Sequence, residues 1–371
     1  MVERGQPVPV TGIHALSALG RGADAQLAGV LAGTPAFGPV RRFDTTGRRV
    51  TVAATLPAVG TLADELTDAV DRVCRAAGLD PARRAESALL LAAHGGPTCD
   101  GGPEVPALAG HLARRCGIGG PTRVYTTACV SASTAVADAA ALIGRGDLTR
   151  VVVAAGYLVE PDQYALFDAG RALATDGAVR PFSVGRRGLL LGDGVAAVVL
   201  ESADAARRRG AEPLAAVHGW GRAGDAYHPC QPDPQGRGLA RAVRAALGRA
   251  GLPGEAVGYV NANATGTPFS DASEAAALRL ALGDLADRVP VSSTKALHGH
   301  ALEASGLLEL VVTVQALRHG KLPVNAGFLG PDETCRLDVI TDAPRPAATP
   351  YALSLNAAFG GANTALLVGA R

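Results

Sequence analysis

The feature that most constrains the fold is a rhythm of short apolar, β-branched runs, each followed by a longer alanine-rich stretch. Residues 88–93 and 151–155 have the composition of strands, and residues 130–143 and 239–250 have that of helices. Strands that alternate with helices in this way are typical of layered α/β proteins. The rhythm continues almost to the end of the chain and therefore predicts an α/β fold throughout.

The same rhythm restarts after Gly210. In each half a strand runs into small polar residues and then into an alanine-rich helix, at residues 124–129 and again at residues 291–295. The second half closes on apolar strands at residues 351–355 and 364–368, as the first half does at residues 194–200. Such a recurrence indicates an internal duplication. We expect two similar halves, residues 1–210 and 211–371.

Charge and hydropathy exclude several classes of protein. The 371 residues include 35 Lys and Arg against 34 Asp and Glu, a net charge of +1 that gives no chain-wide attraction to nucleic acid or to an anionic membrane. The apolar runs are short and interrupted by glycine or charge, so no membrane span is expected. We expect a cytoplasmic, soluble enzyme with neither a nucleic-acid nor a membrane partner.

Six cysteines are scattered without a C-x-x-C spacing, and a chain of this length does not need disulfides to fold. We expect reduced thiols. The six are Cys74, Cys99, Cys116, Cys129, Cys230 and Cys335.

Cys129 differs from the other five in its context. It lies where a strand gives way to a helix, among small residues that allow a substrate to approach. The free amides and the dipole of a helix N-terminus favour the thiolate, which is the nucleophilic form of cysteine. A buried structural thiol is the alternative, and this segment by itself leaves both open.

A polar loop follows the apolar strand at residues 257–260. It contains Asn263, Thr265 and Thr267, whose hydroxyls could hold a chain of amides, and the carboxylates Asp271 and Glu274 come next.

A second polar loop presents His298 and His300 just before a helix, with Lys295 five residues before His300 and Glu309 nine residues after it. No third ligand lies at a spacing characteristic of zinc, so no metal site is expected. The offsets of Lys295 and Glu309 predict a pair that orients the histidine loop across its turn. A solvated surface lysine is the alternative.

Near the C-terminus, Phe359 precedes two glycines between two predicted strands. Such a break could expose a backbone N–H as an oxyanion donor, or it could be an ordinary hairpin turn.

In their order, these segments resemble the β-ketoacyl synthases, and the resemblance extends to residues 10–12, 43–44, 180–182 and 192–194. It implies a thiolase fold, with two pseudo-duplicated βαβαβαββ halves in a five-layered α/β/α/β/α arrangement, usually dimeric. It also implies an acyltransferase that receives acyl chains from acyl carrier protein or coenzyme A. The substrates would arrive on phosphopantetheine, and no resident cofactor is expected.

The resemblance also implies a role for each matching residue. Cys129 matches the acylated nucleophile, and His300 matches the second catalytic histidine, with Lys295 and Glu309 as its companions. Thr265 and Thr267 match the pair that holds the phosphopantetheine arm. Phe359 matches the gating phenylalanine, whose amide forms the oxyanion hole together with the amide of Cys129.

Two departures from the family pattern matter. Asn263 stands where the pattern has its first histidine, and an asparagine can donate a hydrogen bond but cannot shuttle a proton. Ala357 and Ala358 replace residues of the family's glycine-rich gate, which we expect to widen the pocket or change its motion.

Three functions remain open on the sequence. The first is a ketosynthase that condenses the acyl chain on Cys129 with a carrier-bound extender in polyketide or fatty-acid-like biosynthesis, and the second is an acyl transferase that does not decarboxylate. The third is a non-catalytic, chain-length-factor-like partner, against which the retained Cys129 and His300 argue. We expect acyl carrier protein as a partner, and a dimer with a second copy or a second ketosynthase-like subunit.

Overall fold

The computed structural model describes residues 6–94 and 104–370, so Cys99 lies outside the described residues. The strands of the described chain are β1 (Val8–Ser17), β2 (Gly20–Arg21), β3 (Gly38–Pro39), β4 (Val52–Ala53), β5 (Ala88–Ala93), β6 (Thr122–Tyr125), β7 (Arg150–Tyr157), β8 (Gly194–Glu201), β9 (Ala215–Gly224), β10 (Val257–Asn261), β11 (Pro290–Ser292), β12 (Lys321–Leu322), β13 (Asp338–Val339), β14 (Arg345–Pro346), β15 (Tyr351–Ala357) and β16 (Ala362–Gly369). The helices are α1 (Ala23–Ala32), α2 (Leu62–Ala76), α3 (Pro81–Ala85), α4 (Val105–Cys116), α5 (Ser131–Gly144), α6 (Pro161–Ala169), α7 (Ala203–Arg208), α8 (Arg237–Ala250), α9 (Pro268–Leu282), α10 (Lys295–His298) and α11 (Ser305–His319).

The main sheet repeats one strand order twice. Its first half runs β6-β5-β7-β8-β1 and its second half runs β11-β10-β15-β16-β9, with β13 added at the far edge. When the five strands of each half are numbered in chain order, both halves have the strand order 3-2-4-5-1. In both halves the second strand is parallel to its two neighbours and the last pairs are antiparallel. The expectation of two pseudo-duplicated halves is confirmed, and the division at residue 210 stays a prediction.

Helices lie on both faces of each half-sheet. Helices α5 and α11 pack between the two half-sheets, while α2 and α4 cover the outer face of the first and α8 and α9 that of the second. Each half-sheet is therefore buried on both faces. In β5, for example, Leu90 and Ala92 face the central layer while Leu89 and Leu91 face α2 and α4. This double burial explains why the strands are continuous apolar runs instead of alternating ones.

Polar side chains gather where the parallel strands end. Strand β6 runs directly into the turn that carries Cys129, and in the second half β10 and β11 run into the two polar loops. Ligands of open α/β sheets bind beyond the carboxyl ends of parallel strands. The fold thus brings these ends of its two halves together at one place. In the described ranges no helix has the length and apolarity needed to cross a bilayer.

Candidate active site

The thiol of Cys129 sits on a strained turn. Ala128, which precedes it, has a φ of 50°, a conformation that non-glycine residues rarely adopt. Residues Ala128–Val130 form a short 3₁₀ helix that leads into α5. Strain of this kind costs on the order of 1–3 kcal/mol and persists where the surrounding structure fixes it. The turn directs the cysteine into a cavity instead of into the core of its own half.

His300 connects the two halves at the thiol. Its Nε2 lies 3.1 Å from Cys129 Sγ, and its Nδ1 lies 2.9 Å from the hydroxyl of Ser305. The same hydroxyl accepts a hydrogen bond of 3.0 Å from the amide of Ala301. With its proton on Nδ1, His300 donates to Ser305 and leaves Nε2 as the acceptor for the thiol proton. The geometry is that of a nucleophile and its base.

Burial keeps both partners neutral. It raises the pKa of Cys129 to about 12, and the nearby carboxylate of Glu303 adds to this while Lys295 opposes it. Burial also lowers the pKa of His300 well below its ordinary value, and Lys295 adds to that effect. The helix N-terminus was expected to favour the thiolate, but burial outweighs it. Ionisation of Cys129 at neutral pH therefore requires transfer of its proton to His300.

Lys295 and Glu309 form a buried ion pair below the histidine, as their spacing predicted. Their side chains are 1% and 0% exposed. The second oxygen of Glu309 accepts a 2.6 Å hydrogen bond from Asn356 in β15. Burial raises the pKa of Glu309 and the ammonium of Lys295 opposes this. The pair fixes α10 to α11, the two elements that flank the His300 loop.

The His300 loop is also held by a close backbone contact. The amide of His300 donates to Leu190 O at 2.7 Å, and its carbonyl accepts from the amide of Gly192 at 3.1 Å. A Cβ added at Gly192 would lie 2.0 Å from the carbonyl oxygen of His298. Only glycine fits there, which accounts for a glycine at this point of the segment 192–194.

Asn263 lines the same cavity as Cys129 and His300. Its amide N–H donates to Glu274 at 2.8 Å, and its side-chain oxygen is buried without a hydrogen-bond partner in the described chain. Burial raises the pKa of Glu274 to about 8 and that of Asp271 to about 7. The two carboxyl groups accept from loop amides, so they anchor the loop from beneath. Asn263 can therefore offer its side-chain amide to a ligand from a fixed backbone.

Two threonines of the same loop stand further along the cavity wall. The hydroxyls of Thr265 and Thr267 lie 3.1 Å apart, and both side chains line the cavity. A pair of adjacent hydroxyls suits the amides of an extended arm.

Among the described residues, the turn at Phe359 leaves one backbone amide without a backbone partner. The amide of Ala358 donates to Ala362 O at 2.9 Å, that of Gly360 to Pro229 O at 2.7 Å, and that of Gly361 to Ala358 O at 3.1 Å. In the part of the chain that the structure describes, the Phe359 amide has no such partner. It is thus available as an oxyanion donor. The ring is 52% exposed and stacks on Phe167 of α6 at 5.8 Å between centroids.

The residues that the sequence singled out converge on one cavity of about 480 Å³. Its volume is within the range of small-molecule pockets. Arg171 and Arg187 lie among its lining residues. The candidate residues from the sequence that line this cavity are Cys129, Asn263, Thr265, Thr267, His300, Ala357, Ala358 and Phe359.

Of the remaining candidates, His298 and three of the described cysteines do not line this cavity, whereas Cys230 does. His298 bonds to Gly299 O at 2.8 Å and to the hydroxyl of Thr294 at 2.9 Å, so its role is local structure. Of the described cysteines other than Cys129, Cys74, Cys116 and Cys335 are buried, whereas Cys230 is exposed.

Sequence reasoning missed Ser305, Phe167, His94 and Glu303. Ser305 could have been found, because a serine that begins a helix five residues after a histidine can bond it. The other three have no local signal, since their partners lie more than 170 positions away.

Most of the chain is similar in sequence to known proteins of one family. Two family models match, one described as "Beta-ketoacyl synthase, N-terminal domain" over residues 102–206 and one described as "Beta-ketoacyl synthase, C-terminal domain" over residues 214–329. The chain is 34% identical over 271 residues to a 3-oxoacyl-(acyl-carrier-protein) synthase 2 of Staphylococcus aureus, covering 71% of this chain and 67% of that protein. It is 37% identical over 265 residues to the protein of that name from Synechocystis sp., covering 70% and 64%.

Among solved structures, "The ishigamide ketosynthase/chain length factor" superposes with a TM-score of 0.91 at 28% identity, over 99% of this chain and 100% of that one. The thiolase-type architecture is therefore shared over the whole length. The aligned region spans about two thirds of the length of the two sequence relatives.

Proposed function

Because the chain belongs to the β-ketoacyl synthase family, we propose that it is a ketosynthase-like acyltransferase. It loads an acyl chain from acyl carrier protein or coenzyme A onto Cys129. It then condenses this chain with a carrier-bound extender in polyketide or fatty-acid-like biosynthesis. The single observation that supports the proposal best is the 3.1 Å contact between Cys129 Sγ and His300 Nε2 in a cavity shared by both halves.

Acylation uses the neutral pair. His300 accepts the thiol proton as Cys129 Sγ attacks the thioester carbonyl, and the Phe359 and Cys129 amides stabilise the resulting oxyanion. The carrier thiolate leaves as the carbonyl re-forms, and it takes the proton from His300. The balance closes with a thioester on Cys129, a free carrier thiol and a neutral His300.

Condensation requires the site to stabilise an enolate as well. Loss of carbon dioxide from a malonyl-type thioester leaves an enolate whose oxygen needs hydrogen-bond donors. We assign these to His300, with its proton then on Nε2, and to the side-chain amide of Asn263. The enolate carbon attacks the acyl thioester, the Cys129 thiolate departs, and a proton from solvent returns it to the neutral thiol. Burial disfavours a positive charge on His300, and the nearby Lys295 ammonium adds to this effect, so the lowered pKa of His300 keeps it a neutral donor.

The entrance suits a phosphopantetheine arm. Thr265 and Thr267 can bond its amides, and Arg171 and Arg187 can contact its phosphate. We propose acyl carrier protein as the partner that delivers it, with no resident cofactor. The relative named as a ketosynthase/chain length factor motivates a dimer, either with a second copy or with a second ketosynthase-like subunit.

The test measures loading and decarboxylation side by side. Incubation with an acyl carrier thioester is expected to add one acyl mass to the Cys129 peptide, and Cys129→Ala is expected to abolish this. Asn263→Ala is expected to reduce carbon dioxide release from a malonyl carrier by roughly 100- to 1000-fold, the usual effect of losing one such donor, while loading persists. Continued acylation of Cys129→Ala would refute the proposal.

A second function is an acyl transfer without decarboxylation, which the asparagine at position 263 favours because it cannot shuttle a proton. In that case wild type releases no carbon dioxide, Asn263→Ala changes loading little, and Asn263→His is the variant expected to gain decarboxylation. Brisk release that is indifferent to Asn263→Ala would contradict both assignments of this residue.

A further inference from the structure

The second half contains a structural counterpart of the turn that carries Cys129. In the first half Ala128, with a φ of 50°, precedes Cys129 in the 3₁₀ helix Ala128–Val130, which leads into α5. In the second half Leu302, with a φ of 40°, precedes Glu303 in the 3₁₀ helix Leu302–Ala304, which leads into α11. Glu303 therefore occupies the position that Cys129 occupies in the other half.

The two 3₁₀ helices pack against each other, so the two strained turns bring their central residues into one region. Glu303 is only 5% exposed. One of its oxygens lies 3.2 Å from Nδ1 of His94, and in the described chain the other has no hydrogen-bond partner. Burying a carboxylate with a single hydrogen-bond partner costs free energy. A strained turn that holds such a carboxylate in the interior indicates a functional role.

His94 reaches Glu303 from the sheet. It follows β5, which lies between β6 and β7, so His94 and the Cys129 turn stand at the same carboxyl edge. His94 is 35% exposed, and its other charged neighbour is Glu160. The charged groups that act on Cys129 are Lys295, Glu303 and Glu309.

We propose that Glu303 and His94 form an electrostatic pair that sets the reactivity of the Cys129 thiol in acylation. The two act as positioning residues, through the charge beside the nucleophile and not by touching the substrate. This deepens the proposed function, because it concerns the reactivity of the same cysteine.

The charges on Glu303 and His94 determine the direction in which the pKa of the Cys129 thiol shifts. The Glu303 carboxylate opposes a second negative charge on Cys129, and next to burial it is the largest influence that raises the pKa of this thiol. The hydrogen bond to Glu303 in turn raises the pKa of His94. Below that pKa His94 is cationic and the pair is neutral towards the thiol. Above it the carboxylate is uncompensated, so the thiolate becomes harder to form.

The test is the rate at which iodoacetamide alkylates Cys129, followed by mass spectrometry of its peptide between pH 6 and pH 9. At pH 6, His94→Gln is expected to alkylate about tenfold more slowly than wild type, which corresponds to about one unit in the thiol pKa. Glu303→Gln is expected to alkylate about tenfold faster than wild type at pH 9. The double variant is expected to match wild type at pH 6, because it also carries no net charge there.

The exposed Cys230 lines the same cavity and provides an internal control, since its alkylation should be alike in all four proteins. A purely structural pair would slow or accelerate alkylation in the same sense in both single variants, and the double variant would not return to wild type. Either of these results, or an unchanged rate in Glu303→Gln, would overturn the proposal. Alkylation needs no acyl carrier, so it can succeed or fail independently of the proposed function.

Discussion

The buried pair of Lys295 and Glu309 leads to a quantitative prediction about the stability of the site. Glu309→Gln keeps an oxygen that can accept the hydrogen bond from Asn356, but it removes the carboxylate paired with Lys295. Breaking one partner of a buried ion pair costs about 3–5 kcal/mol, because it leaves the other charge without compensation. We expect Glu309→Gln to lose that much free energy of unfolding at pH 7.

The double variant Lys295→Met/Glu309→Gln removes both charges and should recover most of the loss.

The assay is urea unfolding of the wild type, both single variants and the double variant at pH 7. Asp204→Asn serves as a matched control, because its ion pair with Arg207 is 65% and 75% exposed and is worth less than about 1 kcal/mol. A loss below about 1 kcal/mol in Glu309→Gln, or a double variant as unstable as the worse single one, would refute the reasoning.

Two further predictions concern groups around the same loops. Burial raises the pKa of Glu274 to about 8, so the stability that its protonated form contributes is complete below the unfolded pKa of about 4.5 and is lost as the pH rises through 8. Glu274→Gln should flatten the decline in free energy of unfolding between pH 5 and pH 9, and an unchanged slope would contradict the assignment. Ser305→Ala removes the hydroxyl bonded to His300 Nδ1 and, at about 1 kcal/mol for that bond, should slow acylation of Cys129 roughly fivefold. Ser305→Thr, which keeps the hydroxyl, is its control, and equal acylation rates in wild type and Ser305→Ala would show that the contact is not used.

Much of the architecture follows from local pattern. The apolar run at residues 88–93 is β5 with the same bounds. A strand buried on both faces needs an unbroken apolar sequence, and it ends where turn-forming residues follow. The alanine-rich stretch after Cys129 is α5, since small side chains both favour a helix and let it pack between two sheets. The spacing of Lys295 and Glu309 likewise carried enough information to predict their pairing.

The sequence by itself determined the alternation of elements, the repeat of the two halves and the identity of the polar residues in the loops, because each of these depends on neighbours within a few positions. Only the tertiary structure decided the chemistry of the site. The high pKa of Cys129, the free amide of Phe359 and the pairing of His94 with Glu303 all depend on burial and on contacts between distant segments. Desolvation and charge act through space, so no local pattern around position 129 could reveal that burial would outweigh the helix N-terminus.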